Sequence, residues 1–191
     1  MLNEKYHHTR SFAGQFLIAM PHLQDSDFSQ TLTYICSHTE EGAMGIIVNR
    51  ATPYDIDSLF DHLDFTDYQR SSAPLYNGGP TQPEKGFILH SGSAREWEKS
   101  HACDDDVVLS VTIDVLKAIS EGRGPEEYLI ALGYAGWGPG QLEDEIKDNR
   151  WLSCQANSDI LFRTAPEERL HAAASTLGVD LNLMTSQFGH A

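Results

Sequence analysis

The sequence predicts an α+β fold, a single domain built on a largely antiparallel sheet with flanking helices. Three observations carry this. Segments with strand character outnumber those with helical spacing, and they arrive in runs instead of alternating strictly with helices, which disfavours a doubly wound parallel sheet. The chain has 191 residues, a length suited to one domain with a proper core. No internal repeat, low-complexity tract or long linker divides it.

Taken in order, Gly14 to Met20 is a short apolar run closed by Pro21 and reads as a strand. Phe28 to Ser37 alternates, with Phe28, Leu32, Tyr34 and Cys36 on one parity, so a second strand begins near Leu32. Gly42 to Asn49 is β-branched and opened by glycine. With His38 to Gly42 as the turn, these two strands form a hairpin. Pro53 to Phe65 places apolar residues at 56, 59, 60 and 63, a helical spacing. Ser71 to Pro74 breaks the chain, and Tyr76 to Pro80 is a tight loop of backbone-permissive residues. Gly86 to His90 and Val107 to Thr112 are strands separated by a polar, irregular stretch. Asp114 to Ser120 is a helix stopped by Gly122, and Tyr128 to Tyr134 is a strand running into the glycine-rich Ala135 to Gly140. Pro139 to Lys147 is helical, with Leu142 and Ile146 one turn apart. Asp159 to Phe162 reads as a last short strand. Pro166 to Thr176, with proline at its start and Gly178 beyond its end, is the clearest helix.

Composition narrows the function classes. The formal charge is −15, from 28 carboxylates against 13 lysines and arginines, and no two of the basic residues are adjacent. Duplex binding needs clustered cations to displace counterions, so direct nucleic-acid contact is not expected. The apolar runs are too short to span a bilayer, and the polar start of the chain lacks the pattern of a secretion signal. A cytoplasmic protein without a membrane partner is the expectation. Three cysteines, Cys36, Cys103 and Cys154, with no close CxxC pair fit a reducing compartment.

Two motifs bear chemistry. Cys36 and His38 are two apart on a strand, where side chains share a face, and an adjacent imidazolium activates a thiol. Asn49 is the available group to orient the histidine, and the Asn77-Gly78-Gly79 backbone offers donors for an oxyanion. The alternative is a structural thiol acting as a small hydrophobe. The pairs Cys36/His38 and His101/Cys103 also allow a tetrahedral zinc site, although their spacing matches no established finger. Gly133 to Gly140 leads into a helix but lacks the Lys and Ser/Thr of a phosphate loop, and acids occupy the first turn, so a nucleotide site is rejected. Trp137 and Trp151 bracket that helix as core anchors.

These stretches together, GQFLIAMPHLQDSDFSQTLTYICSHTEEGAMGIIVNR, LYNGGP with GFILHS, and ALGYAGWGPGQLEDEIKDNRWL with ILF, resemble the AlgH/YqgE family of bacterial proteins. The resemblance covers the chain from Gly14 to Ala191, leaving 1–13 as an N-terminal extension. It implies a bulged, twisted, mixed sheet with flanking helices and a cytosolic protein, and it brings no established activity. Some members carry a transcriptional-regulator label, yet no helix-turn-helix pattern is visible here. Family-like positions supply the remaining candidates: His90, Gly78, Gly79, Tyr134, Trp137, Gln141 and Glu145 for binding, beside Cys36, His38 and Asn49 for catalysis. No cofactor is expected and no metal ligand is assigned. The expected function is a non-enzymatic binding or regulatory module that acts through a protein or small-molecule partner, with any effect on transcription indirect. The alternatives are a thiol-dependent enzyme or redox sensor using Cys36 with His38, and a zinc protein. All of them require these side chains to converge on one open cleft.

Overall fold

A computed structural model describes residues 11–23 and 27–181. Among these residues, ten strands and four α-helices form one α+β unit. The strands are β1 (Gln15–Ala19), β2 (Leu32–Thr39), β3 (Gly42–Ile47), β4 (Ala51–Asp55), β5 (Pro74–Asn77), β6 (Thr81–His90), β7 (His101–Ala102), β8 (Val108–Ser110), β9 (Tyr128–Trp137) and β10 (Trp151–Gln155). The helices are α1 (Ile56–His62), α2 (Ile113–Ser120), α3 (Gln141–Lys147) and α4 (Pro166–Thr176).

The main sheet runs β10-β1-β2-β3-β9-β6-β8-β7, with β5 also beside β9 and β4 beside β5. Every pairing is antiparallel except β5 with β9, so the sheet is mixed by one ladder. It curls on itself. Alternation sends Phe16, Ile18, Leu32, Tyr34 and Ile46 from one half, and Phe87, Leu89, Leu109 and Leu129 from the other, into one shared interior. The π-helical turn Asp159–Arg163 and α4 close that interior with Leu161, Leu170, Ala173 and Ala174. Each fully buried aliphatic or aromatic side chain contributes roughly 1.5–3 kcal/mol, which makes this interior the dominant stabilising element. On the outside, α3 covers one half of the sheet through Leu142 against Leu17, Ile35 and Trp137. The other half is covered by α1 and α2, through Ile56, Phe60, Val115 and Ile119.

Local sequence explains most boundaries. Asp55 ends β4 and caps α1, accepting from the Ser58 amide at 2.9 Å, so the helix begins after Asp55 and not at Pro53. Pro53 lies in β4, which has only β5 beside it, and Pro74 is the first residue of β5; both positions tolerate a missing amide hydrogen. The predicted strand at Asp159 to Phe162 is instead the π-helical turn. Asn157 Oδ1 accepts from the amides of Asp159 (2.8 Å) and Ile160 (3.3 Å), which starts a helical turn where apolar content alone suggested extension. No helix among the described residues is long and apolar enough to cross a membrane.

Candidate functional site

The Cys36–His38 pair does not survive folding as a pair. The β2–β3 register runs Ile35 opposite Gly45 and then Ser37 opposite Met44, leaving Cys36 as the extra residue of a β-bulge. The bulge shifts the alternation by one, so Cys36 and His38 leave the strand on opposite faces. Cys36 enters the shared interior with Tyr34 and Cys103 and is 0% exposed. Burial pushes its thiol well above the ordinary range, and the neighbouring Cys103 and Asp104 push it the same way. A thiolate is the reactive form, and this environment opposes it.

His38 emerges on the α3 face. It heads a cross-strand row, His38 opposite Ala43 and Ala43 opposite Trp137. The Phe12 amide donates to its Nδ1 at 3.1 Å, so the ring hydrogen sits on Nε2 and is donated to Glu143 at 3.0 Å. With its side chain 4% exposed and both nitrogens occupied, this imidazole is a clasp between the segment before β1, β2 and α3.

Beside it, Glu145 organises three further candidates. Both indole nitrogens, of Trp137 (2.9 Å) and Trp151 (2.8 Å), donate to one carboxylate oxygen of Glu145, and Gln141 Nε2 donates to the other at 3.0 Å. Arg150 lies 3.6 Å from that second oxygen. Gln141 Oε1 accepts from the Gly138 amide and so holds the glycine-rich turn. Phe28 stacks against Trp137 and meets Trp151 edge-on. Desolvation is the largest single effect on Glu145 and raises its pKa, but the donors from Trp151, Gln141 and Trp137 together outweigh it and hold the carboxyl below its usual value. Trp137, Gln141 and Glu145 are therefore brought together, as a structural network in which both indole N–H groups are satisfied.

The other candidates lie apart. Gly78 and Gly79 are the point where the chain leaving β5 crosses β9 backbone on backbone. A side-chain carbon on Gly78 would sit 2.3 Å from the Gly133 carbonyl oxygen, and one on Gly79 2.2 Å from the Tyr134 carbonyl carbon. Their amides are taken, by the Leu132 carbonyl and by Asn77 Oδ1, so they offer no oxyanion donors. Tyr134 is half-buried and packs on Phe87. His90 is 0% exposed in the second half of the sheet. Its Nδ1 donates to the Ser91 carbonyl and its Nε2 accepts from the Ser110 hydroxyl, both at 2.8 Å, and Ser100 lies 2.5 Å beyond Ser110. Burial pushes this imidazole down from its ordinary value. The four zinc candidates are likewise divided, with Cys36 and Cys103 inside, His38 across the sheet and His101 exposed. Among the described residues no group of three His, Cys, Asp or Glu side chains is placed to hold a metal ion.

Asn49 leads to an open concavity with mixed lining. Just beyond β3, its Oδ1 accepts from the Leu32 amide at 2.8 Å and its Nδ2 donates to the Gln30 carbonyl at 2.9 Å. Arg50 donates to the carbonyls of Asp27 and Ser29. Together they hold Gln30 at φ +55°, a conformation uncommon outside glycine. The cavity beside them, about 640 Å³, is lined by Ala19, Pro21, Leu170 and Leu181 on its apolar side and by Arg50, Glu167 and His171 on its polar side. A second depression of about 470 Å³ shares Asn49, Arg50 and Glu167, extending the concavity into a groove past Pro53 and Pro166. The wall behind it is fixed by Arg169, 4% exposed, which donates to the Val48 and Thr164 carbonyls and lies over the Tyr76 ring. Arg50, Glu167, Arg169 and His171 had no signal in the sequence, because Arg50 is more than a hundred residues from the three on α4 and only the packing of α4 against β1 and β2 brings them together.

Comparison with known proteins agrees with this fold. The family described as AlgH-like matches residues 16–182. A protein of Chromohalobacter salexigens is 46% identical over 184 residues, covering 95% of this chain and all of its own. One from Thioalkalivibrio sulfidiphilus is 47% identical over 182 residues, covering 95% and 97%. Both are named only as UPF0301 proteins. The solution structure of the AlgH protein from Pseudomonas aeruginosa is 44% identical and superposes with a TM-score of 0.77 over 96% of this chain and 97% of its own. A crystal structure from Corynebacterium diphtheriae, 18% identical, shares the fold with a TM-score of 0.73 over 90% of each chain.

Proposed function

The chain belongs to the AlgH-like family, and from that premise we propose that it is a non-enzymatic binding or regulatory module acting in the cytoplasm. It takes a small molecule, or a short segment of a partner protein, in the Asn49–Arg50 groove, and any influence on transcription passes through that partner. The observation that carries this reading is the groove itself, whose main chamber of about 640 Å³ falls within the roughly 300–1,000 Å³ typical of ligand sites. Its walls are preformed by the Asn49, Arg50 and Arg169 hydrogen bonds, which lowers the ordering cost of binding. Nothing comparable favours the thiol reading, since Cys36 lies in the interior with its base on the other face of the sheet. Direct contact with nucleic acid is opposed by the charge of −15.

A fragment screen read by amide chemical shifts tests the proposal. The expected result is a set of hits whose shifts cluster at Ser29, Gln30, Asn49, Arg50 and His171. Hits confined to the α3 face, or none at concentrations of about 1 mM, equivalent to about 4 kcal/mol of binding, would remove it.

A further inference from the structure

We infer that the ligand of this groove is a small organic monoanion, an apolar body carrying one carboxylate, with Arg50 receiving the charge. The inference rests on the groove being the binding site and adds the chemistry of what binds.

The argument starts from where the arginines find partners. In a chain with 28 carboxylates, Arg70, Arg123, Arg150 and Arg163 each pair with an acidic side chain. Arg50 does not. Among the described residues its guanidinium meets only the carbonyls of Asp27 and Ser29, which accept hydrogen bonds but carry no formal charge. A half-buried guanidinium left without a counter-charge is costly, and it becomes favourable once an anion joins it. Arg169 lies one layer deeper, within electrostatic reach of Glu167. It too bonds to carbonyls, including that of Val48, next to Asn49, so both guanidiniums add positive potential to the same wall. A planar guanidinium matches carboxylate and phosphate alike.

Glu167 separates those two. It lines both parts of the groove, and His171 lines the main chamber one helical turn further along α4. Glu167 is an exposed carboxylate lining the same groove as Arg50, and it repels the nearly double charge of a phosphate monoester more than a single negative charge. The remaining wall of Ala19, Pro21, Leu170 and Leu181 is apolar and suits a hydrocarbon body.

The test titrates the whole protein with four matched probes: 4-phenylbutyrate, its primary amide, 4-phenylbutylamine and 4-phenylbutyl phosphate. Shifts at groove amides and calorimetry report binding. The carboxylate is expected to bind roughly tenfold tighter than the amide, as a charge-assisted pair requires, with the phosphate weaker than the carboxylate and added salt weakening both. Glu167→Gln is expected to tighten the carboxylate several-fold and to narrow its lead over the phosphate. Arg50→Gln is expected to bring carboxylate affinity down to that of the amide, and Arg50→Lys to restore part of it. If the amide or the amine binds as well as the carboxylate, the anion assignment falls while the groove stands as a site. If the phosphate binds best, the monoanion assignment falls. If none of the four moves groove resonances at about 10 mM, weaker than about 3 kcal/mol, both the assignment and the groove reading fall.

Discussion

The α3 face and the Asn49–Arg50 groove both gather polar side chains, and they differ in what those side chains have left to offer. On the α3 face the polar groups engage one another: His38 meets Glu143, and two tryptophans and Gln141 meet Glu145. At the groove, Arg50 meets only backbone carbonyls among the described residues, and Glu167 and His171 line an open chamber. Closed networks stabilise and rigidify a fold, whereas incomplete ones at a cavity wall are where binding energy is available. The comparison makes separable predictions. Substitutions on the first face should change stability and leave binding alone, whereas substitution of the exposed groove-lining Glu167 should change binding and leave stability alone.

The largest effect is expected from Glu145→Ala. It strands two buried indole N–H groups, at about 1–3 kcal/mol each, and should lower the melting temperature by on the order of 10 °C while groove binding is retained. Thermal unfolding followed by calorimetry checks this, and a normal melting temperature would break the contrast. Because the Glu145 carboxyl is held below its usual value, its contribution is present above the unfolded pKa, about 4.3, and is lost as pH falls through the folded value. Next comes Arg169→Met, which leaves the Val48 and Thr164 carbonyls without their donor and should cost about 2 kcal/mol in denaturant unfolding.

A smaller effect concerns His90. Burial lowers its pKa, so below about 6.5 the unfolded chain takes up the proton first, and stability should fall as pH drops through that window. His90→Gln should flatten this part of the stability–pH curve, and an unchanged slope would contradict the assignment. Smallest of all, Glu167→Gln on the exposed side of the groove should leave stability within about 0.5 kcal/mol and register only in ligand affinity.

Much of the fold could be read from local patterns, and the reasons are particular. The β2–β3 hairpin shows in the alternation of Leu32, Tyr34 and Cys36 ahead of a glycine turn, and α4 shows in Pro166 and Gly178 at its two ends. The edge strand β10 was hidden because Trp151 and Cys154 face opposite sides, leaving no stripe to detect. The candidate site was far less legible. One inserted residue at the Ile35–Ser37 bulge, invisible to a period-two count, moves His38 across the sheet from Cys36. Gly78 and Gly79, named as oxyanion donors, turn out to be required by a backbone crossing at Gly133 and Tyr134. Ser110, the partner of His90, is twenty residues from it in sequence and reaches it only because β6 and β8 pair. Asn49 was named for a catalytic role and instead shapes the groove by holding Gln30 and Leu32.

The separation of Cys36 from solvent and from His38 is what sets the thiol reading aside and leaves the groove as the functional surface, and peptide-resolved alkylation measures it directly. Native protein treated with iodoacetamide near neutral pH should label Cys36 more than about tenfold slower than a free thiol of pKa about 8.5, with full labelling only after unfolding. Labelling faster than the free thiol, abolished by His38→Ala, would place the two side chains together at an open surface and contradict the account.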